Sequence, residues 1–275
     1  MAPQWRSWLQ LVVLGAPSAT CFGLGVWQWQ RRQWKRELIR ERGEQLRQQP
    51  LRGNAAVLEA LRHDAQAHRF RQVELTGRLL PGEAKLVGPR SPPLHAAGLV
   101  SRRDNRIGYY VVVPLQIEED NVERPLQVLV NRGWIPRSVA DAYRNAQGGD
   151  AGEAKAAAME PLRGVIRGGE TPGRFTPENR PERGEWYYFN VAEMGGDVLV
   201  DALADDPVAV VPPIAKCIDD FLQFSITPQT HAMYSATWFT MSAVLAAMAV
   251  ILHRRPGKAP ATAGHSAATV SAPHK

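Results

Sequence analysis

Two long runs without a charged residue, one near each end of the chain, constrain the fold more than any other feature of the sequence. The first extends from Leu9 to Val26 (18 residues) and the second from Ala232 to Leu252 (21 residues). About 20 apolar residues of α-helix cross the hydrocarbon core of a bilayer. The two runs therefore predict a membrane protein with two transmembrane α-helices and both termini on the same side.

Tryptophans flank the first run on both sides, as in the aromatic belts of membrane helices; they are Trp5, Trp8, Trp27 and Trp29. A cleaved signal peptide is the alternative interpretation. However, the run is longer than the roughly 7–15 apolar residues usual in a signal peptide, and no small-x-small cleavage site precedes the charged residues that follow it. A retained first span is therefore predicted, and loss of the residues before Gln28 from the mature protein would contradict it.

The positive charge of the chain lies beside the apolar runs. The formal net charge is +6 and the isoelectric point is about 9.6. Basic residues follow the first run between Arg31 and Arg47, and they follow the second run between Arg254 and Lys258. This distribution suits contact with lipid headgroups and does not favour a nucleic-acid partner.

The stretch between the runs predicts a strand-rich α+β domain, mostly antiparallel and barrel-like. Helices are predicted over 31–49, continuing the first span outward, and over 55–67. Strands bounded by Gly and Pro turns are predicted at 70–80, 84–89, 108–117, 125–134, 161–168 and 185–190. The remaining predicted segments are a linker at 149–160, a helix at 191–204 and a strand at 205–211.

These features divide the chain into five segments. They are a short N-terminal flank (1–8), transmembrane helix 1 (9–29), an extramembrane α+β domain (30–228), transmembrane helix 2 (229–252), and a basic flank with a disordered tail (253–275). The positive-inside rule decides little about orientation, because arginines lie on both sides of the first span.

Motifs of catalysis are absent from the sequence. It has no nucleophile elbow, phosphate-binding loop, HExxH zinc motif or haem-attaching CxxCH. Cys21 lies in the first apolar run, so a disulfide with Cys217 is not predicted, and the two cysteines form no zinc-binding array. The isolated histidines, His63, His68 and His95, lack metal-ligand spacing and are expected to be solvated.

The sequence VNRGW at residues 130–134 ends a predicted strand with Arg132 and Gly133. A planar guanidinium binds carboxylates through two parallel hydrogen bonds, so Arg132 is a candidate for holding a carboxylate such as a haem propionate. A strand-end turn with a structural arginine is the alternative, and the local pattern favours it.

An ionisable ring, His231, stands at the start of the second run. Pro228 suits the first turn of a helix and Thr227 suits its cap. Helical spacing places four residues on the face of His231: Tyr234, Ser235, Trp238 and Ser242. Neutral imidazole is a common ligand of haem iron, and an interfacial histidine in contact with headgroups fits the pattern equally well.

Five segments, in their order, resemble the surfeit locus protein 1 (Shy-type) family of cytochrome c oxidase assembly factors. They are LGVWQWQR (24–31), GYYVVVPL (108–115), VLVNRGWIP (128–136), NRPERGEWYYFNVAEM (179–194) and PQTHAMYSATWFT (228–240). The resemblance covers about residues 9–253. The sequence departs from the family pattern at Gln229 and Thr230, where an asparagine-rich pair is more usual, and in a longer central linker.

The resemblance implies an assembly factor, not an enzyme, that helps haem a insertion or maturation of the haem-bearing core subunit of cytochrome c oxidase (respiratory complex IV). His231 falls on the proposed haem-iron ligand of the family. Other residues that fall on its motifs are Trp27, Tyr234 and Trp238, expected to flank the cofactor, and Gly25, Gln28, Arg132 and Gly133.

The resemblance also implies a location and partners. The expected location is the mitochondrial inner membrane, with the domain in the intermembrane space; a bacterial inner membrane with a periplasmic domain is the alternative. The expected partners are the oxidase core subunit, other assembly factors and membrane lipid, with haem a bound transiently. The rival functions are a scaffold for oxidase subunits that does not bind haem, and a haem-modifying enzyme, for which no general base or redox cofactor motif is visible.

Overall fold

The computed structural model describes residues 4–98, 107–117, 126–148, 159–206 and 211–254. The chain forms two compact units. The helical unit comprises Met1–Trp34 and Ile226–Lys275, and the sheet unit comprises Lys35–Ser225.

The helical unit is built from helix α5 (Pro228–Arg254) and from the part of helix α1 (Gln4–Arg47) up to Trp34; the rest of α1 belongs to the sheet unit. Helix α1 is one continuous helix of 44 residues with Pro17 inside it, so the predicted helical continuation over 31–49 is confirmed as far as Arg47. Helix α5 has 27 residues. Within the part of the chain that is described, α5 is the one helix long and apolar enough to cross a membrane, judged by length and composition.

The side chains of α5 are distributed opposite to those of a helix in a water-soluble core. Its buried residues are Ser235, Ser242 and Ala249, whereas Met233 is 67% exposed and Ile251 is 54% exposed. Small and weakly polar residues at a helix contact, with large apolar side chains outside, are typical of packing between membrane helices.

The sheet unit contains one seven-stranded sheet, in the order β1-β2-β6-β7-β5-β4-β3. Most neighbours are antiparallel, as predicted, but β1–β2 and β5–β7 are parallel. Strand β2 also pairs with β4 through Arg78–Gln116 and Leu79–Leu115. The strands are β1 (Leu51–Arg52), β2 (Gln72–Leu79), β3 (Lys85–Arg90), β4 (Gly108–Gln116), β5 (Val128–Pro136), β6 (Glu160–Arg167) and β7 (Val198–Ala202).

Both faces of the sheet are covered, which explains the nearly continuous apolar runs of β4 and β5. On one face, Val111 and Val113 pack in a cluster that includes Leu58 of helix α2 (Asn54–Asp64). On the other face, Tyr110 and Val112 pack in a cluster that includes Trp134, Trp186 and Phe189. Alternate residues of β4 thus pack in two different hydrophobic clusters, one on each face of the sheet.

Two predicted elements of the sheet unit differ from the structure. Residues 185–190, all of them described, are not a strand, and they make two isolated bridges, Arg180–Glu185 and Val87–Trp186. The predicted helix at 191–204 is wrong, because a turn with a positive φ of 79° at Gly195 is followed by β7. The apolar run of β7 is held between β5 and β6, a long-range pairing that overrides local helix propensity.

The remaining helices of the sheet unit are short. Helix α2 confirms the predicted helix at 55–67 to within a few residues. Helix α3 (Arg137–Gly148), which directly follows β5, was not predicted. Helix α4 (Ile218–Leu222) forms a single turn. Most of the predicted linker (149–158) and of the predicted strand at 205–211 (207–210) lies outside the described residues.

Candidate functional site

Helices α1 and α5 are joined inside the helical unit by a reciprocal pair of serines. Ser18 Oγ donates to the carbonyl oxygen of Ser242 at 2.9 Å, and Ser242 Oγ donates to the carbonyl oxygen of Ser18 at 2.9 Å. Both residues are 8% exposed. Hydrogen bonds between buried hydroxyls and carbonyls satisfy polar groups that would otherwise be costly in an apolar surrounding.

The second contact between the two helices depends on Gly25. Its carbonyl oxygen accepts a hydrogen bond from Ser235 Oγ at 2.8 Å. A Cβ atom at position 25 would lie only 2.6 Å from Cε1 of Phe239, whereas a Cβ at Gly23 would meet no atom within 4 Å. Helix α5 therefore packs against α1 at Gly25, in the space that a larger side chain would occupy.

Closer to the start of α5, His231 is hydrogen-bonded to Gln28, at a distance of 2.7 Å between Nδ1 and Oε1. An amide oxygen only accepts hydrogen bonds, so the imidazole donates from Nδ1, and in the neutral form of the ring the lone pair is on Nε2. The ring lies in the first turn of α5, where Thr230 N donates to Thr227 Oγ1 at 3.2 Å. The predicted cap at Thr227 and helix start at Pro228 are thus confirmed.

Two of the three aromatic residues predicted near His231 are exposed at the surface of the helical unit. Trp27 is 47% exposed and Tyr234 is 51% exposed, while Trp238 is half-buried. The guanidinium carbon of Arg31 is 5.5 Å from the centroid of the Trp27 ring. The residues predicted on the face of His231 therefore do not all have the same environment: Ser235 and Ser242 contact α1, whereas Tyr234 is exposed. A role for the aromatic rings beside a cofactor stays a prediction.

Arg132 and Gly133 belong to the sheet unit. Asn131 of β5 pairs with Val112 and Gly133 pairs with Val111, so Arg132 is the extra residue of a β-bulge. Arg132 is exposed. Gly133 has a φ of +133°, and a Cβ there would lie 2.4 Å from the carbonyl carbon of Ile214. This position requires glycine because of the backbone geometry.

A buried ionic cluster lies beside this bulge, and the sequence analysis missed it. Asp201 is 1% exposed, its Oδ1 accepts from Asn131 Nδ2 at 2.7 Å, and its Oδ2 lies 2.8 Å from Lys216 Nζ and 3.4 Å from Arg167 Nε. Burial alone would raise the pKa of Asp201, but the charges of Lys216 and Arg167, with hydrogen bonds from Lys216 and Asn131, outweigh burial and lower that pKa. The signal in the sequence was an aspartate within the apolar run VLVDA.

Of the three histidines expected to be solvated, His63 is exposed and His68 is half-buried. The expectation is wrong for His95, whose side chain is 12% exposed and whose Nδ1 lies 2.6 Å from Asp220 Oδ2. The partner is 125 positions away in the chain, so local sequence gave no sign of it.

The chain is similar to known proteins along most of its length. The sequence model of the SURF1 family matches residues 15–243. The SURF1-like protein of Monosiga brevicollis is 30% identical over 255 residues, which cover 90% of this chain and 89% of the relative. Surfeit locus protein 1 of Homo sapiens is 31% identical over 247 residues, which cover 86% and 75%. Surfeit locus protein 1 of Arabidopsis thaliana is 28% identical over 283 residues, which cover 88% and 77%.

Proposed function

This chain belongs to the SURF1 family, and on that premise we propose that it is an assembly factor of cytochrome c oxidase that receives haem a at His231. The family membership supports the role in oxidase assembly. The hydrogen bond between His231 and Gln28 is the observation that carries the finer proposal, because it fixes the orientation of the ring and, in its neutral form, its tautomer.

The residues at this position fit a haem ligand. A histidine that binds iron through Nε2 needs its proton on Nδ1 and an acceptor for that proton, and Oε1 of Gln28 is such an acceptor. His231 would hold the haem through its iron, and an imidazole ligand would help set the redox potential of that iron. The chain's own contribution is to orient the ring through Gln28 and through the first turn of α5.

We further propose that α1 and α5 both cross a membrane. Five of the large apolar residues exposed in the helical unit support a lipid-facing surface; they are Val12, Phe22, Met233, Val244 and Ile251. The proposed location is the mitochondrial inner membrane, with the sheet unit in the intermembrane space, and subcellular fractionation of the source cells separates this from a bacterial inner membrane.

Complementation tests the role in assembly. The full chain is expressed in cells whose own SURF1-family gene is deleted, and assembled cytochrome c oxidase is measured beside another respiratory complex. The wild-type chain is expected to restore the oxidase and to leave the other complex unchanged. His231→Ala is expected to restore much less oxidase, while His253→Ala, at the other end of α5, restores as much as the wild type. Failure of a correctly inserted wild-type chain would refute the proposed role.

A scaffold for oxidase subunits is the second candidate function, and the exposure of Arg132 on its bulge favours it. An exposed guanidinium is available to a carboxylate of a partner protein. The scaffold predicts that Arg132→Ala lowers oxidase assembly while the purified wild-type protein contains no haem.

A further inference from the structure

A second group of chemically reactive side chains lies within the sheet unit. His95 lies between β3 and β4, Cys217 directly precedes α4, and Asp220 is in α4. The role proposed for His231 does not involve these three residues.

The carboxylate of Asp220 is the centre of the group. Its Oδ2 accepts from Cys217 N at 2.9 Å and from Cys217 Sγ at 3.2 Å, and it lies 2.6 Å from Nδ1 of His95. Its Oδ1 accepts from His95 N at 3.0 Å. Capping of α4 explains the bond from the backbone of Cys217. It does not explain why a thiol and an imidazole both converge on the same oxygen.

The polar side chains of this group are largely buried, and burying a polar atom costs free energy unless it has a partner. The side chain of His95 is 12% exposed and that of Asp220 is 4% exposed. His95 Nε2 is buried and has no hydrogen-bond partner among the described residues. A buried polar atom without a partner costs about 1–3 kcal/mol, so the fold holds this ring in place at a cost that the contacts of Nδ1 do not remove.

We propose that His95, Cys217 and Asp220 form a binding site for a divalent metal ion of the zinc type. A ring nitrogen, the sulfur and a carboxylate oxygen lie within 4.8 Å of one another. The donor set of one sulfur, one nitrogen and one oxygen suits zinc and its close analogue cobalt, and it does not suit magnesium or calcium, which prefer oxygen ligands alone.

The geometry requires only small movements. Zinc binds sulfur at about 2.3 Å and nitrogen or oxygen at about 2.0–2.2 Å, so ligand atoms in a tetrahedral site are about 3.3–3.6 Å apart. The contact of 2.6 Å between His95 Nδ1 and Asp220 Oδ2 would open by roughly 0.7 Å. The contact of 3.2 Å between Cys217 Sγ and Oδ2 would open by a few tenths of an ångström.

One of the three proposed ligands, Cys217, borders a cavity. This cavity of about 250 Å³ is lined by Cys217 and by its neighbours Ile218 and Asp219. Three protein ligands with a position open to water describe an exchangeable site. On binding, the thiol proton of Cys217 passes to solvent, Nδ1 of His95 gives up the proton that it shares with Asp220, and the ring stays neutral with its proton on Nε2. The charge of the ion is then balanced by a thiolate and a carboxylate.

Cobalt spectroscopy of the purified, metal-free full-length protein tests the site. One equivalent of Co²⁺ is expected to produce a thiolate-to-cobalt charge-transfer band, and Zn²⁺ is expected to abolish it by displacement. Cys21→Ser, the matched control, keeps the band because Cys21 lies in α1. Cys217→Ser loses the band, and Asp220→Asn weakens cobalt binding at least about 10-fold. No band in the wild type, or an unchanged band in Cys217→Ser, would overturn the proposal.

A second measurement separates a lost ligand from a damaged fold. Cys217→Ser retains a hydroxyl that can donate to Asp220, and its unfolding midpoint without metal is compared with that of the wild type. In the Cys21→Ser protein, Zn²⁺ is expected to slow alkylation of Cys217 by at least about 10-fold; an unchanged rate contradicts metal binding. The result is independent of oxidase assembly, because neither readout involves haem or the oxidase.

Discussion

His231 and Gln28 are 203 positions apart in the chain, and Nδ1 of the imidazole lies 2.7 Å from Oε1 of the amide. The bond joins the first turn of α5 to α1 near the segment where Gly25 and Ser235 are in contact. Because an amide oxygen cannot donate, the tautomer of His231 follows from its partner. Gln28 is therefore a positioning residue for whatever His231 binds.

Gln28→Leu is expected to lower the haem a content of the purified protein about 10-fold, because loss of the partner of a ligating histidine typically weakens binding by that much. Gln28→Glu keeps an acceptor for the Nδ1 proton and is expected to retain haem. Gln30→Leu, an exposed position of α1, serves as the control. Equal haem content in all three variants would show that the hydrogen bond does not orient a ligand. The measurement is the haem-to-protein ratio by absorbance.

Gly25→Ala is expected to destabilise the contact between α1 and α5, because its Cβ would lie 2.6 Å from Cε1 of Phe239. Overpacking of this kind costs about 1–3 kcal/mol. Gly23→Ala, where a Cβ meets nothing within 4 Å, is expected to leave the midpoint of thermal unfolding in detergent unchanged or slightly higher. Equal midpoints for both variants would contradict the close contact, and Phe239→Leu is expected to rescue Gly25→Ala.

Gly133→Ala is expected to destabilise the sheet unit by more than about 2 kcal/mol, because it combines a φ of +133° with a clash against the backbone of Ile214. Gly82→Ala, at an open position, is the matched control and is expected to change the free energy of unfolding little. The measurement is chemical denaturation followed by tryptophan fluorescence, since Trp134 is next to the bulge. If Gly133→Ala lowers the free energy of unfolding only slightly, the bulge adjusts to a Cβ atom and the prediction is wrong.

Asp201 predicts a specific dependence of stability on pH. Its pKa is lowered in the folded protein despite burial, because Lys216 and Arg167 favour the charged carboxylate. Its contribution to stability is therefore present above its unfolded pKa of about 3.9 and is lost as pH falls through the lower folded pKa. Asp201→Asn is expected to be less stable than the wild type at pH 7, with a difference that shrinks below about pH 4. A constant difference across this range would contradict the ionic cluster.

Local signals in the sequence were sufficient for α1, α2 and α5 and for five of the six predicted strands whose positions are described, but they missed α3 and predicted a helix at 191–204 that is not present. Thr227, Pro228 and the apolar run after them specify the start of α5 with no tertiary information. The run VLVDA falls in the helix predicted at 191–204 from the local capping pattern of Asn190 and Glu193, whereas in the structure it is a strand between β5 and β6. Pairing between distant segments is not visible in local propensity.

The same limit applies to the sites. The spacing of His231 on α5 indicated a functional face, but its bond to Gln28 arises from the packing of two helices far apart in the sequence. His95 looked solvated because its partner, Asp220, is 125 positions away. For both histidines, the hydrogen-bond partner comes from a distant part of the chain, so the local sequence does not predict it.

The absorption spectrum of the full-length protein, purified from cells that make haem a, tests the central proposal most directly. The account predicts haem a in the wild type and in His253→Ala, and a loss of most of the haem with a changed spectrum in His231→Ala. Haem content and spectrum that are the same in His231→Ala as in the wild type would contradict ligation by His231.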